Sequence, residues 1–156
     1  MTVHSDTWPR GAEWRRWDLH VHTPASLLGT SFAGVSWDDY VNALEEAAAR
    51  NNIAVIGVTD YMSIDGYEKL HAIQDDSTHP RLSSVLLLPN IEFRSLPHTR
   101  TGHALNIHLL VNVSDPNHIE RLKQSLRNLK FTYKHQDYGC IREELGRVNT
   151  TAMQLV

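Results

Sequence analysis

The sequence has a single cysteine, Cys140, and no long hydrophobic run among its 156 residues. One cysteine excludes an internal disulfide framework and suits a reducing compartment. No apolar run approaches the ~20 residues that are needed to span a membrane. The polar segment 1–16 lacks the apolar core of a signal peptide. These features predict a cytoplasmic protein that has no membrane partner.

Several common binding and catalytic motifs are also missing. The glycine-rich patterns GxGxxG and GxxxxGK[ST], which cradle phosphates in nucleotide-binding proteins, do not occur. Cys140 has no evident activating neighbour, and no Ser-His-Asp or Cys-His arrangement is supported. A formal net charge of −3 argues against nucleic-acid binding by the whole surface, although it leaves room for a local basic patch.

The composition is that of one globular domain, with 41% hydrophobic and 21% charged residues. Apolar strands alternate with amphipathic helices, and this alternation predicts an α/β fold with a parallel sheet and outer helices. An open doubly wound sheet and part of a (β/α) barrel both fit this order. Ser36 and Asp115 are the predicted N-caps of the first and third helices. Residues 1–13 are expected to form an irregular lead-in. The predicted strands span 15–22, 53–59, 84–92 and 104–111, and the predicted helices span 37–51, 63–76, 115–130 and 141–148.

The first strand ends in the most informative pattern of the chain. A strand has a side-chain period of two, so Asp18, His20 and His22 are predicted to point to one face. Pro24 cannot extend a hydrogen-bond ladder, so both imidazoles lie at the C-terminal end of the strand. The two imidazoles either converge on one cation or are polar residues on the solvated face of an edge strand.

The other strands favour the cation. Asp60 follows the second strand, Glu92 closes the third, and His108 lies within the fourth. Because the C-terminal ends of parallel strands lie side by side, we expect these polar side chains to meet those of the first strand. Imidazole and carboxylate are ligands of Zn²⁺, Mn²⁺ and Fe²⁺. The sequence therefore predicts a site for a divalent transition metal.

Four short motifs carry a family resemblance. In chain order they are Asp18-Leu19-His20-Val21-His22-Thr23, Val58-Thr59-Asp60, Asn90-Ile91-Glu92 and Ile107-His108-Leu109-Leu110. Their order and spacing resemble the PHP (polymerase and histidinol phosphatase) family over about residues 14–112. A narrower similarity, which includes residues 131–134 and 141–146, is to the PHP region of certain bacterial AAA-like ATPases.

The resemblance implies a fold, an activity and a ligand set. Residues 14–156 would form the N-terminal part of a distorted (β/α)7 barrel of the TIM type, which binds one to three divalent ions (Zn, Mn or Fe) and hydrolyses phosphoesters as a phosphatase or nuclease. Its metal ligands would be His20, His22, Glu92 and His108, with Glu92 bridging two ions. Its catalytic carboxylates would be Asp60 and Glu92. Asp18 and Tyr61 would contact the metal ligands without binding the metal themselves.

Two departures from the family pattern leave two functions open. Tyr61 stands where the family has a histidine ligand, and the family's later motifs, which include a C-terminal Asp-x-His, have no counterpart here. The chain is therefore expected to be part of a phosphoesterase that further residues or a partner complete, with a metal-activated water as nucleophile. Alternatively, it is a non-catalytic module that docks onto an ATPase domain or another subunit. Oligomerisation fits either function.

A basic stripe accompanies the third predicted helix. Lys123, Arg127 and Lys130 follow helical spacing beside its apolar face. The stripe is either a solvated surface or a contact for phosphate groups, including those of a nucleic-acid backbone.

Overall fold

A computed structural model describes residues 14–26, 31–76, 78–95, 99–103 and 105–148. Four strands form the main sheet in the order β1-β2-β3-β4. They are β1 (Arg16–Val21), β2 (Ile53–Tyr61), β3 (Leu86–Ser95) and β4 (Leu105–Leu110). The lead-in that the sequence predicts for residues 1–13 lies outside the described residues.

The helices follow the predicted pattern with shifted ends. They are α1 (Trp37–Asn51), α2 (Asp65–Asp75), α3 (His118–Asn128) and α4 (Arg142–Leu145), together with a short 3-10 helix, Leu82–Ser84. The N-cap prediction for α1 is confirmed, because the Ser36 side chain accepts a hydrogen bond from the Asp39 backbone N–H. None of the described helices has both the length and the apolar character to cross a membrane.

The N-cap prediction for α3 is wrong. The cap is Asn117, two residues later than expected. Asp115 instead accepts a hydrogen bond from the Asn117 backbone N–H, which closes a turn before the helix.

The core lies between the sheet and helices α1 and α2. All of β2 except its first residue is buried, as its nearly continuous apolar run predicts. Val41 of α1 and Leu70 of α2 are fully buried, and Ile56 of β2 and Ile91 of β3 are 1% exposed. This packing fixes β2 and β3, the strands that carry Asp60 and Glu92.

The sheet is parallel from β1 to β3, as predicted, but the parallel prediction is wrong for β4. Strand β4 pairs antiparallel with β3, and Glu92 lies opposite His108. The reason is the length of the connection, because residues 96–104 are fewer than the dozen or so that a parallel crossover needs. His108 therefore reaches the site from the middle of a hairpin strand.

The sheet is curled into a half-barrel. Two strands lie between β1 and β4, so in a flat sheet their axes would be roughly 14 Å apart. Nevertheless, the ring centroids of His20 on β1 and His108 on β4 are 4.7 Å apart. The described residues form this half-barrel rather than a closed barrel.

A second, small sheet lies beyond α3. It is a hairpin of β5 (Lys130–Tyr133) and β6 (Gln136–Gly139). The sequence predicts only a turn near residues 138–139, because the hairpin lacks an Asn-Gly or Asp-Gly signal. Its two turn residues, Lys134 and His135, instead have φ values of 50° and 65°.

Candidate metal centre

Three side-chain atoms converge on the concave face of the half-barrel. The Nε2 atoms of His20 and His22 are 3.1 Å apart, and each lies 3.4 Å from Oε2 of Glu92. Ligand atoms about 2.1 Å from a tetrahedral ion are about 3.4 Å from one another. The triangle formed by His20, His22 and Glu92 therefore has the size of three ligands on one divalent ion.

Glu92 is the atypical member of this triangle. Its side chain is fully buried, and its Oε2 has no hydrogen-bond partner among the described residues. A buried carboxylate oxygen without a donor is costly, since nothing compensates for the lost hydration. A cation between the three atoms would satisfy this oxygen, so the donor set and its unpaired acceptor fit a divalent metal.

His108 adds a fourth group of the same chemistry. Ligand atoms of His20, Glu92 and His108 all lie within 4.8 Å of one another. This second group shares His20 and Glu92 with the triangle. The four predicted metal ligands are therefore brought together, although they come from three strands of mixed direction.

The pairing of β1 is irregular in the segment that leads to the two histidines. The pairing of β1 with β2 shifts register between Asp18 and Val21, so the ladder is irregular there. The carbonyl oxygen of Leu19 accepts hydrogen bonds from Asn90 Nδ2 at 2.6 Å and from Thr59 Oγ1 at 3.2 Å. A Cβ on Gly57 would lie 2.6 Å from that same oxygen, so glycine is required where β1 lies close beside β2.

Asp18 and Tyr61 each contact one histidine. Oδ1 of Asp18 accepts a hydrogen bond from the His20 backbone N–H at 3.3 Å. The Tyr61 ring stacks on the His22 ring, with centroids 5.1 Å apart and planes 19° apart. Tyr61 therefore covers one face of the His22 imidazole.

Asp60 belongs to a different polar junction. It is 1% exposed, and its carboxylate accepts hydrogen bonds from the backbone N–H and hydroxyl of Thr23 and from the backbone N–H of Gly66. Burial raises the pKa of Asp60 to about 6, and the hydrogen bonds oppose this rise. Its oxygens thus face Thr23 and Gly66, where they tie the end of β1 to the start of α2.

Burial lowers the pKa of the His22 imidazole, while the nearby Glu92 carboxylate opposes this effect. Neutral imidazole is the form that binds metal ions. The environment of His22 therefore favours its ligand form at neutral pH.

Two members of the basic stripe, Lys123 and Arg127, line one cleft, and Lys130 lies on another element. Nζ of Lys123 forms an ion pair with Glu68 at 2.6 Å, and this pairing raises the pKa of Lys123. Arg127 lines a cleft of about 380 Å³ beside Met62, which is one residue beyond the end of β2. Lys130 lies on β5 rather than on α3.

Sequence reasoning missed two asparagines beside the ligands. Asn90 lies near His108, with 3.3 Å between Oδ1 and Nδ1, and Asn106 donates to Oε1 of Glu92 at 2.6 Å. The signal for Asn106 was the period of two along β4, which places it on the His108 face.

Comparison of this chain with protein-family models, curated proteins and solved structures found no match.

Proposed function

We propose that this chain forms part of a metal-dependent phosphoester hydrolase of the PHP type, a phosphatase or nuclease. The observation that carries the proposal is the triangle of His20, His22 and Glu92, whose buried Oε2 lacks a donor. The four motifs that resemble the PHP family supply the reaction class. We further propose one to three bound ions of Zn, Mn or Fe, and a cytoplasmic location.

The chain's own residues would hold and orient the reacting groups. When bound, a divalent ion would supply Lewis acidity, which lowers the pKa of a water ligand towards about 7. A concavity of about 330 Å³ adjoins the site and is lined by Trp17, His20, Asn90, His108 and Leu110. That volume is at the lower end for a small-molecule pocket, so a small phosphoester fits the proposal better than a duplex nucleic acid.

The half-barrel is the basis for the larger fold that we propose. Further strands, from the same protein or from a partner such as an ATPase subunit, would extend the sheet beyond β4 towards a (β/α)7 barrel. They would also supply the remaining ligands of the site.

The test compares the wild-type chain with the double variant His20→Ala, His22→Ala. We expect the wild type to retain a divalent metal by elemental analysis and to hydrolyse an aryl phosphate or single-stranded nucleic acid with added Mn²⁺ or Zn²⁺. We expect the double variant to lose both properties, and a chelator to abolish the wild-type rate. A matched control is His135→Asn, which removes an exposed histidine of the β5–β6 turn and should change neither. Equal metal content and equal rates in wild type and double variant would contradict the proposal.

A non-catalytic docking module is the second candidate, and one observation favours it. Strand β4 is an edge strand within the described residues, and its Leu105, Ile107 and Leu109 are 46%, 52% and 48% exposed. An apolar, uncharged edge of this kind is a common site of strand addition. Metal content separates the two candidates, because a module of this type would contain no stoichiometric metal.

A further inference from the structure

We propose that Asn90 and Asn106 are positioning residues that fix which atoms of His108 and Glu92 face the metal site. The proposal rests on the proposed metal centre and assigns a separate role to each amide. Asn90 would set the tautomer of His108. Asn106 would hold Glu92 so that one carboxylate oxygen is left for the ion.

The orientation of the Asn90 amide follows from its partners. Its Nδ2 lies 2.6 Å from the carbonyl oxygen of Leu19 and 3.1 Å from the hydroxyl of Thr59. A carbonyl oxygen accepts but never donates, so the nitrogen end of the amide must face Leu19. Oδ1 is therefore the atom that faces Nδ1 of His108, at 3.3 Å.

This orientation favours one tautomer of His108. Since an amide oxygen is an acceptor, a hydrogen bond to it requires the proton on Nδ1 of His108. In the neutral imidazole, Nε2 then has the free lone pair that a metal ligand needs. Metal-binding histidines commonly donate their other ring N–H to an oxygen in this way. Asn90 is 4% exposed, so bulk water does not readily replace it.

Asn106 orients the carboxylate of Glu92, as Asn90 orients the imidazole of His108. Its Nδ2 donates to Oε1 of Glu92 at 2.6 Å. The second oxygen, Oε2, is left without a donor and lies 3.4 Å from both histidine Nε2 atoms. The hydrogen bond thus fixes the rotation of the carboxylate and presents Oε2 to the ion.

The antiparallel hairpin explains why two asparagines can do this. Glu92 pairs with His108 in the β3–β4 register, Asn90 pairs with Leu110, and Asn106 pairs with Arg94. Each asparagine is therefore one diagonal step from its target on the same face, within reach of long side chains. A parallel β4 would not give this reciprocal arrangement.

The first experiment reads the tautomer of His108 in metal-free protein by ¹⁵N NMR of the imidazole ring. We expect wild type to show a protonated Nδ1 and an unprotonated Nε2. Asn90→Ala should shift His108 towards the Nε2–H tautomer, which dominates in unrestrained imidazole. Thr59→Val is the matched control. It removes a hydroxyl that contacts Leu19 and Nδ2 of Asn90, but the Leu19 carbonyl still orients Nδ2 and Oδ1 stays in place, so the tautomer should persist. A wild-type Nε2–H tautomer, or an unchanged tautomer in Asn90→Ala, would overturn the role of Asn90.

The second experiment measures Zn²⁺ affinity by competition with a chromogenic chelator. Asn90→Ala and Asn106→Ala should each weaken binding by about 10- to 100-fold with unchanged stoichiometry. Asn106→Ala should leave the His108 tautomer unaltered, which keeps the two roles separate if Asn90→Ala does not fold. An affinity within twofold of wild type for a folded Asn106→Ala protein would overturn its role. Failure of the proposed function gives a different result, since wild type itself would then bind no Zn²⁺ while the tautomer readout still applied.

Discussion

Asp60 and Glu92 are two buried carboxylates on neighbouring parallel strands, and they differ in their hydrogen-bond partners. Asp60 is 1% exposed and Glu92 is fully buried. The oxygens of Asp60 accept hydrogen bonds from Thr23 and Gly66. Glu92 receives one hydrogen bond, from Asn106, and its other oxygen faces two imidazoles. Burial alone does not separate a structural carboxylate from a candidate ligand, whereas hydrogen-bond satisfaction does.

Asp60 also shows how the site is supported. By binding the backbone of Thr23, it holds the residue that follows His22. The junction of Thr23, Asp60 and Gly66 is therefore held by hydrogen bonds. In the neighbouring triangle of His20, His22 and Glu92, by contrast, one carboxylate oxygen has no hydrogen-bond donor within the described part of the chain.

The largest effect should come from crowding this junction. A Cβ on Gly66 would lie 2.0 Å from Oγ1 of Thr23 and 2.2 Å from Oδ2 of Asp60. Alanine normally favours a helix over glycine by about 1 kcal/mol, yet we expect Gly66→Ala to lower the free energy of unfolding by about 3 kcal/mol through overpacking. Urea denaturation measures this change.

The matched test of that explanation is a double-mutant cycle with Thr23→Ala. Removing the Thr23 hydroxyl and methyl groups relieves part of the collision, so the two substitutions should be coupled favourably by more than 0.5 kcal/mol. Additive effects, or a Gly66→Ala protein that is as stable as wild type, would show that the junction is not tightly packed.

The second-largest effect should come from Glu92→Gln and should appear as a loss of metal affinity. Glu92→Gln keeps the acceptor for Asn106 and removes the charge, so we expect Zn²⁺ or Mn²⁺ affinity to fall by at least about 100-fold, which is about 2.7 kcal/mol. The metal-free protein should be equally stable or more stable, because an unpaired buried charge is lost. Calorimetric titration and urea denaturation measure the two quantities.

Asp75→Asn is the control for this substitution, since its side chain is 75% exposed and should affect neither quantity. A clear loss of stability in metal-free Glu92→Gln would contradict the comparison, because Glu92 would then be a structural carboxylate like Asp60.

The sequence was sufficient to predict the three parallel strands and to place His20, His22, Glu92 and His108 among the polar residues expected to meet. Strand periodicity and strand ends are local features, and they place side chains on a face without knowledge of the tertiary structure. The same features could not rank Asp60 against Glu92, because the partners of each carboxylate come from other segments. Thr23 lies 37 residues before Asp60, and no periodicity encodes such a contact.

Contacts between distant segments also explain Gly57, Gly66 and the direction of β4, which local sequence patterns do not predict. Helix propensity alone makes Gly66 a weak point of α2, whereas in the structure the close approach of Thr23 and Asp60 leaves no room for a Cβ there. The antiparallel β4 was missed because alternation of elements was given more weight than the shortness of the connection. The irregularity in β1 likewise lies at Leu19, whose carbonyl oxygen accepts a hydrogen bond from Asn90, 71 residues further along the chain.

The smallest effect concerns the pH dependence that Asp60 imparts. Its pKa is about 6 in the folded protein against an ordinary 3.8, so the folded state binds a proton more tightly than the unfolded state. Its contribution to stability is therefore full below pH 3.8 and is lost as the pH rises towards 6, by about 3 kcal/mol in all, of which about 2 kcal/mol falls between pH 4 and 6.5. Asp60→Asn lacks this titration, so the difference in unfolding free energy between wild type and Asp60→Asn should shift against wild type from pH 4 to 6.5. Urea denaturation with a chelator present measures this difference. The contribution of His22 to the pH dependence cancels, because both proteins contain His22. A difference that moved in favour of wild type over this range would mean that the hydrogen bonds from Thr23 and Gly66 outweigh burial, which would make Asp60 a firmly charged anchor.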